Sequence, residues 1–333
     1  MEQLALVMAA GKGVRMLSKL PKPLHPICGM PMVEHVLRAL DAVAADKALI
    51  VGYDREKLMQ ALHGQATFIR QDQTTGWGTG HALLSARDFL AGRTGQVIVT
   101  ACDKPLVLPE TYARLIEEVR RGAACAMLTD IVADPFGYSR VLRAGGRVCA
   151  SLRHGALSGD QYMLKEVDAS VYCFDIEKLV CALPEMQCAD GEYHLSDMVG
   201  ILSRAGHMVT TVPALEKCES LGVNDRVQLA QAEAAMRQRI NTRHMRRGVT
   251  LIDPTRIAIQ PDVTIGSDVT IYPDTTLEHG TTIDSDCVIF ASRISGSHIG
   301  QGARVEHSIV TDATVLPGQK IGPFAVIGPF CRV

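Results

Sequence analysis

The hydrophobic positions of this chain follow two different patterns, which meet near residue 250. In the first part, short apolar runs such as LALVM, KALIVG, GQVIVTACD, AACAMLTD, DASVYCFD and HMVTTVP alternate with stretches such as MVEHVLRALDAV and ETYARLIEEVRR. The runs are typical of buried strands, and the stretches are typical of amphipathic helices. Strands that alternate with helices predict an α/β fold with a doubly wound, mainly parallel sheet over residues 1–226.

After Pro254 a branched apolar residue recurs every six positions. The positions are Ile259, Ile265, Ile271, Leu277, Ile283 and Ile289, and the count resumes at Val315, Ile321, Ile327 and Val333. A helix does not keep a period of six, whereas a left-handed parallel β-helix turns one residue inward on each of its flat faces. We therefore predict a short left-handed parallel β-helix of about four coils over residues 249–333, at about eighteen residues per coil.

A third pattern separates these two parts. The stretch DRVQLAQAEAAMRQRINTRHMRRG is rich in helix-forming residues and contains no proline, and its only glycine is the last residue, Gly248. It predicts a connecting helix over residues 227–248. The chain is thus expected to consist of a domain at 1–226, a linker helix and a β-helix at 249–333.

Composition and charge exclude several classes of protein. The chain has 47% hydrophobic and 21% charged residues, which is typical of a globular protein. A formal net charge of -2 without a long basic run argues against a surface for nucleic acid or anionic membrane. The N-terminus shows no targeting segment and no run approaches the roughly 18 apolar residues of a membrane span, so we expect a cytoplasmic protein. The ten cysteines have no C-x-x-C spacing, which predicts reduced thiols and no zinc site.

Candidate chemistry begins in the stretch LVMAAGKGVRMLSKLPKPLH, where an apolar strand leads into Gly11 and Gly13. Such glycines allow positive φ and let successive N–H groups point at a phosphate, and Arg15 and Lys22 add positive charge. The spacing is not that of a P-loop, and Met16 stands where a dinucleotide fingerprint has its third glycine. The two glycines by themselves are equally compatible with a tight connection between a strand and a helix.

The surrounding motifs extend this pattern. The stretch AAGKGVRMLSKLPKPLHPICGMPMVEHVL resembles the signature of the sugar-1-phosphate nucleotidylyltransferases, and QDQTTGWGTGHAL, ACDKPLV, DPFGYSRV, GEYHLSDMV and LGVNDRVQL follow in the order of that family. With the helix and the hexapeptide tail, the chain is most similar to the bifunctional N-acetylglucosamine-1-phosphate uridyltransferases. The resemblance implies transfer of a uridylyl group from UTP to a sugar 1-phosphate, with release of pyrophosphate. The acceptor that it implies most directly is N-acetylglucosamine 1-phosphate, and the product would serve the synthesis of cell-wall precursors.

The resemblance also assigns residues on the nucleotide side. The chain would place uracil and ribose over Met8, Ala9, Ala10 and Gly11, with Gln73, Gly78 and Thr79 hydrogen-bonding the base. Arg15 and Lys22 would neutralise the triphosphate, and Asp103 and Asn224 would ligate one Mg²⁺. In-line phosphoryl chemistry of this kind needs no nucleophilic side chain, because positioning and charge neutralisation supply most of the catalysis.

Each assignment has a structural alternative. Gly78 and Gly80 are compatible with plain turns, Asp103 with a strand-end cap, and Lys22 with a solvated surface lysine. Asn224 is also a good N-cap for the connecting helix. We expect His81 to be structural and not a catalytic base.

The acceptor side departs from the family pattern. The family has Tyr-Gly before the metal aspartate, where this chain has Ala101 and Cys102, and it has Gly in Y-G-R, where this chain has Ser139. The sugar-binding Glu of the family is replaced by Arg153. Its Asn-Thr-Gly is replaced by Asp168, Ala169 and Ser170. Replacing a glutamate by arginine removes an acceptor of hydrogen bonds and adds donors. Three interpretations stay open: the same sugar bound through a swapped Arg153–Asp168 pair, a different sugar 1-phosphate, or a nucleotide-sugar-binding protein without turnover.

The C-terminal part departs as well. In the family the β-helix is longer and carries an acetyltransferase whose catalytic residues lie in coils beyond the position of Val333. We therefore expect no acetyltransferase activity from this chain. The flat faces of four coils can still pack threefold, which makes a homotrimer the assembly to test.

Overall fold

The computed structural model describes residues 2–329 of the chain. It divides into two compact units, one of Met1–His25 and Pro31–Gln228, the other of Pro26–Met30 and Leu229–Val333. The periodic position Val333 and the cysteine Cys331 lie outside the described residues.

The first unit is built on a nine-stranded sheet. Its strands are β1 (Glu2–Ala9), β4 (Asp46–Val51), β5 (Thr67–Arg70), β6 (Gly95–Ala101), β7 (Cys125–Ile131), β8 (Ser139–Ala144), β9 (Arg147–Leu152), β10 (Glu166–Asp175) and β11 (Val209–Pro213). The separate ladder of β2 (Pro26–Ile27) and β3 (Met30–Pro31) belongs, apart from Pro31, to the second unit. The sheet order is β11-β7-β10-β6-β1-β4-β5, with β8 paired to β10 and β9 paired to β8. Strand β10 is antiparallel to β6 and β7, whereas β1, β4, β5 and β6 pair in parallel.

Helices cover both faces of this sheet. They are α1 (Met32–Asp41), α2 (Arg55–Ala61), α3 (Gly78–Ser85), α4 (Arg87–Leu90), α5 (Pro109–Arg120), α6 (Ile176–Ala182) and α7 (Asp197–Arg204), and α8 (Arg226–Met245) follows them. Successive residues of β1 alternate between the two cores: Leu4 and Leu6 pack with α3, α4, α6 and α7, and Ala5 and Val7 pack with α1, α2 and α5. The prediction of a doubly wound, mainly parallel sheet is confirmed. No helix within residues 2–329 is long and apolar enough to cross a membrane.

The second unit contains three ladders of short parallel strands. They are β12 (Thr250–Leu251), β13 (Ile257–Ile259), β14 (Thr264–Ile265), β15 (Thr270–Ile271), β16 (Thr275–Leu277), β17 (Thr282–Ile283), β18 (Val288–Phe290), β19 (Arg293–Ser295), β20 (His298–Ile299), β21 (Arg304–Glu306), β22 (Ile309–Thr311), β23 (Thr314–Val315), β24 (Lys320–Ile321) and β25 (Val326–Ile327). Every third strand joins the same sheet, as in β12-β15-β18-β21-β24. This is the predicted left-handed parallel β-helix, with at least one buried branched residue on every strand from β12 to β24.

The coils do not all have the predicted length. Ile283 pairs with Ile299, and Ile299 with Val315, so these coils take sixteen residues where about eighteen were expected. The six-residue count breaks after Ile289 because the β-helix continues through Ile294 with shorter corners.

Buried serines hold the shorter corners. Ser297 Oγ donates to the carbonyl of Ser295 and accepts from the N–H of Ala313, at 2.7 and 3.1 Å. Ser292 and Ser308 make the same two kinds of bond at other corners of these coils. A side-chain oxygen thus satisfies backbone groups that a longer turn would pair with itself.

Candidate active site

The loop after β1 folds over the carboxyl end of that strand. Gly13 has a φ of 61°, and a Cβ added there would lie 2.7 Å from the Cβ of Lys22. Glycine is therefore required at this position, both for the backbone conformation and for the approach of Lys22. Gly11 has open space around it, and Val14–Met16 forms a single 3₁₀ turn that carries Arg15.

Four charged or polar side chains meet beside this loop. Lys22 Nζ forms an ion pair with Asp103 Oδ2 and donates to Asn224 Oδ1 at 3.1 Å. Arg15 Nη2 donates to the same Asn224 oxygen at 3.0 Å. Asp103 lies two residues after the end of β6, and Asn224 lies two residues before the start of α8. The structure thus brings together the four residues that the sequence suggested for phosphate and metal.

The oxygens of this cluster fit a magnesium ion. One carboxylate and one amide oxygen face the same cation, the ammonium group of Lys22. Hard oxygen ligands are those that Mg²⁺ prefers, and it usually keeps waters and substrate phosphates as its other ligands. Within residues 2–329 no group of three or more His, Cys, Asp and Glu side chains could hold an ion by itself.

A buried lysine next to Asp103 was missed by the sequence analysis. Lys104 is only 6% exposed, and its Nζ donates to the carbonyl of Ser220 at 2.8 Å. Beside it, the N–H of Val223 donates to the carbonyl of Asp103 at 3.0 Å. Burial lowers the pKa of Lys104. These two bonds hold the segment that leads to Asn224 against the end of β6.

A buried carboxylate holds the same segment from the other side. Glu219 is fully buried, and its Oε2 accepts from the N–H of Leu108 at 3.0 Å. Its Oε1 accepts from the N–H groups of Leu215 and Glu216, both at 2.8 Å. Lys104 and Glu219 together form a reciprocal clamp between the 104–108 loop and the 215–220 segment. The signal for Lys104 in the sequence was weak, because it is a single lysine beside Asp103 in ACDKPLV.

The residues suggested for the base surround the end of β1. Met8, Ala9 and Ala10 are buried, and the carbonyl of Met8 accepts from the N–H of Cys102 at 3.1 Å. Gln73 Nε2 donates to the carbonyl of Ala10 at 2.9 Å. The amide group of Gln73 therefore lies beside the loop that follows β1.

Gly78 and Thr79 form the start of α3 and pack against the 193–195 segment. A Cβ added at Gly78, whose φ is 94°, would lie 2.3 Å from the carbonyl oxygen of Tyr193. A Cβ at Gly80 would lie 2.7 Å from the carbonyl carbon of the same residue. Thr79 Oγ1 accepts from the N–H of Leu195 at 3.1 Å. Close packing is sufficient to explain these glycines, and their contact with a base remains a prediction.

The side-chain hydrogen-bonding distances of His81 are to residues of the loop that precedes it, and its ring lies 5.8 Å from that of Tyr193. Its Nδ1 is 3.2 Å from Gln71 Nε2, and its Nε2 is 3.3 Å from Thr75 Oγ1. Both ring nitrogens thus hold the loop in place, as expected of a structural histidine.

On the acceptor side, Asp168 is a buried residue whose oxygens already have donors. It is 3% exposed and accepts from Ser151 Oγ at 2.6 Å, from the N–H of Ser170 at 2.7 Å and from the hydroxyl of Tyr172. Burial raises the pKa of Asp168. The carboxyl group therefore joins β9 to β10 within the fold.

Arg153 has a different partner from Asp168. Its Nη1 lies 3.5 Å from Asp190 Oδ2, whereas the backbone partner of Asp168 is Ser139 of β8. Binding of the same sugar through Arg153 and Asp168 stays a prediction.

Ala101 and Cys102 line the end of β6 with small apolar groups. Ala101 is partly exposed, and its carbonyl accepts from the N–H of Lys104 at 3.2 Å. Burial raises the pKa of the Cys102 thiol to about 12. The thiol is therefore neutral at physiological pH and serves as an apolar wall.

Comparison with known proteins identifies the family to which the chain belongs. Residues 5–166 match the family model of the MobA-like NTP transferase domain. The chain is 41% identical over 331 residues to the bifunctional protein GlmU of Shouchella clausii, with 98% of this chain and 72% of the relative covered. It is 41% identical over 335 residues to the bifunctional protein GlmU of Limosilactobacillus reuteri, covering 99% of this chain and 73% of the relative.

A solved structure shares the fold of the larger part of the chain. It is a putative glucose-1-phosphate thymidylyltransferase from Bacillus anthracis in complex with a sucrose, with a TM-score of 0.58. The alignment covers 70% of this chain and 94% of that chain at 18% identity. At this identity the likeness concerns the fold.

Proposed function

Because the chain belongs to the family of the bifunctional protein GlmU, we propose that it catalyses Mg²⁺-dependent transfer of a uridylyl group from UTP to a sugar 1-phosphate. The products are a UDP-sugar and pyrophosphate. The observation that carries this proposal is the cluster of Arg15, Lys22, Asp103 and Asn224 beside the glycine loop.

The reaction needs an attacking phosphate and a leaving pyrophosphate held in line. A phosphate oxygen of the sugar 1-phosphate forms a new bond to the α-phosphorus of UTP. The bond between that phosphorus and the oxygen bridging to the β-phosphate breaks, and the electron pair leaves with pyrophosphate. No proton has to move to or from a side chain, so positioning and charge are the tasks of the protein.

We infer that the loop at Gly11–Gly13 binds the triphosphate through its backbone N–H groups, while Arg15 and Lys22 neutralise the charge that develops on pyrophosphate. Asp103 and Asn224 would hold the magnesium ion, which lowers the electrostatic cost of bringing two phosphates together. Their present bonds to Lys22 and Arg15 support this assignment, because the same oxygens already face cations.

On the base side, Gln73 and the backbone of Ala9 and Ala10 would satisfy the polar edge of uracil. Cytosine reverses that edge, so its binding leaves buried polar groups unpaired and should be poorer by several orders of magnitude. Thymine differs from uracil by one methyl group, which a pocket separates by only about 1–3 kcal/mol. We therefore expect strong selection against CTP and modest selection against dTTP.

The first acceptor to test is N-acetylglucosamine 1-phosphate. Pyrophosphate release from UTP should depend on this acceptor and on Mg²⁺, and Asp103→Asn should reduce kcat/KM by at least about a hundredfold, the effect of losing one buried electrostatic contact in a transition state. Asp88→Asn on the exposed side of α4 is the matched control and should leave the rate unchanged.

The experiment also separates an enzyme from a binding protein. If a panel of sugar 1-phosphates releases no pyrophosphate with any nucleoside triphosphate, the proposal of catalysis is wrong. Tight UTP binding by calorimetry in that case would support a nucleotide-sugar-binding protein without turnover.

A further inference from the structure

The loop that carries Arg15 has few contacts that hold it in place. Within residues 11–20 of the described chain, Met16 is the only buried residue. The backbone is left-handed on both sides of the 3₁₀ turn, with a φ of 61° at Gly13 and of 46° at Leu17. Segments with few buried groups open at a low cost in free energy. The position of Arg15 therefore depends largely on the contacts that Met16 makes.

Arg226 supplies one of these contacts. Its Nε donates to the carbonyl of Met16 at 3.1 Å, and its Nη1 lies 3.3 Å from Nδ1 of His25. His25 follows the turn that carries Lys22, and its N–H donates to the Lys22 carbonyl at 3.3 Å. One guanidinium group thus joins the turn of Arg15 to the turn of Lys22.

The chemistry of this contact defines the state of the His25 ring. A guanidinium group has only donors, so Nδ1 of His25 is the acceptor and the ring is neutral. His25 is 3% exposed, and burial, followed by the charge of Arg226, lowers its pKa against a smaller opposing effect of the Leu20 backbone. The ring therefore stays an acceptor for Arg226 at physiological pH.

The first turn of α8 fixes Arg226 relative to Asn224. Asp225 Oδ1 accepts from the N–H of Gln228 at 2.8 Å, and Gln228 Oε1 accepts from the N–H of Asn224 at 2.8 Å. Asp225 thus caps the helix, and the side chain of Asn224 is left for the cations of the site. These residues and both turns belong to the first unit. The start of one helix therefore holds both turns, through Asn224 and through Arg226.

From these contacts we propose that Arg226 is a positioning residue, which holds the two cations of the site, Arg15 and Lys22, for the transfer reaction. The inference rests on the proposed function and deepens it. Arg226 acts through the Met16 carbonyl and the His25 ring, so two nitrogen atoms of the guanidinium group are needed. A lysine would keep the positive charge, but its donors share one nitrogen and do not match two separate acceptors.

Pyrophosphate release from UTP and N-acetylglucosamine 1-phosphate tests this geometry against the charge alone. Arg226→Lys and Arg226→Ala should both lower kcat about tenfold to a hundredfold, the effect of a small displacement of positioning groups, and should change the KM of the acceptor little. Because position 226 is exposed, millimolar guanidinium chloride should restore part of the activity of Arg226→Ala, and none of that of Arg226→Lys. Arg87→Ala, at an exposed position of α4, is the control and should keep the wild-type rate.

A double-mutant cycle tests the path through His25. His25→Leu should lower kcat about tenfold or less, the effect of one hydrogen bond, and should have no further effect in the Arg226→Ala background, because both changes break the same contact. Losses that multiply in the double variant would overturn the inference, as would wild-type activity of Arg226→Lys.

Binding of inorganic pyrophosphate with Mg²⁺, measured by calorimetry on the full chain, tests the arrangement of the cations without turnover. Arg226→Ala should weaken this binding about tenfold, and Arg87→Ala should leave it unchanged. A protein that shows this loss of affinity but transfers no uridylyl group contradicts only the proposed function. Equal affinities of the wild-type protein and Arg226→Ala would contradict the role of Arg226.

Discussion

At the residue scale, we predict that Gln73 contributes to selection of the base. Its bond to the carbonyl of Ala10 ties the amide group to the loop after β1. Gln73→Ala should lower kcat/KM for UTP by about tenfold, the effect of one hydrogen bond, and leave the poor reaction of CTP almost unchanged. Thr74→Ala is the control, because Thr74 is exposed and bonds only to Asp72 among the described contacts. An equal loss for both nucleotides would show that Gln73 supports the loop and does not read the base.

A second residue-scale prediction concerns acid stability. His244 is 3% exposed, and neither ring nitrogen has a partner among residues 2–329. Burial, and then the charges of Arg243 and Arg247, lower its pKa to about 4. The unfolded chain takes up this proton near pH 6.5 and the folded chain only near pH 4, so unfolding becomes easier as the pH falls through that window.

The expected loss is about 3 kcal/mol in the free energy of unfolding between pH 6.5 and pH 4. It is measured by urea unfolding at several pH values. His244→Leu should remove this part of the pH dependence, whereas His207→Leu at an exposed site should not. A His244→Leu protein with the pH profile of the wild type would contradict the prediction.

Sequence reasoning succeeded for residues whose neighbours form a pattern and failed for those that depend on distant strands. Gly13, Lys22 and Asp103 stand in local motifs, and the structure brings the last two together. Lys104 binds a carbonyl 116 residues away, and a lone buried charge leaves no periodic signal. The partner of Arg153 is Asp190, in a distant turn that no local motif specifies.

At the scale of elements, the clamp of Lys104 and Glu219 holds the segment before Asn224. Lys104→Met keeps the length and packing of the side chain but leaves the Ser220 carbonyl without its donor. We expect the apparent KM for Mg²⁺ to rise about tenfold, with a smaller effect on kcat.

Binding of Mn²⁺ to the UTP complex, followed by electron paramagnetic resonance, should weaken to the same extent. Lys217→Met in the same segment is exposed and should change neither quantity. Unchanged metal dependence in Lys104→Met would show that the clamp serves stability alone.

The corners of the β-helix are the second element-scale feature. Ser297→Ala removes the acceptor of the Ala313 N–H and should lower the free energy of unfolding of the β-helix by about 1–3 kcal/mol. Ser267→Ala at an exposed corner is the control and should cost less than about 0.5 kcal/mol. Comparable losses in urea unfolding of the two variants would contradict this role of the buried serine.

The six-residue period predicted the β-helix because its inward residues are all branched and apolar. It could not predict the shorter corners at Ser292 and Ser297, where the serine hydroxyl bonds to backbone groups of the turn. A shorter corner breaks the count of positions without changing which residues face inward.

At the scale of the whole molecule, the two compact units predict two thermal transitions. In the presence of Mg²⁺, a UTP concentration of a hundred times the Kd should raise the free energy of unfolding of the first unit by about 2.7 kcal/mol. For a unit of about 200 residues this raises its Tm by about 5–10 °C and leaves the transition of the β-helix in place.

Differential scanning calorimetry measures both transitions in one experiment. Asp103→Asn should keep both transitions and lose most of the shift caused by UTP and Mg²⁺. A shift of the β-helix transition alone would mean that the nucleotide binds elsewhere.

The sixteen-residue coils also bear on how this part of the molecule changes in evolution. A corner that has lost a residue keeps its hydrophobic core, since the strands on either side remain paired. We therefore expect a deletion or an insertion at a corner to change the length of a β-helix while its inward residues stay paired. Homologous positions in such proteins are defined by strand pairing, and an alignment that counts residues from one corner to the next would equate inward with outward side chains.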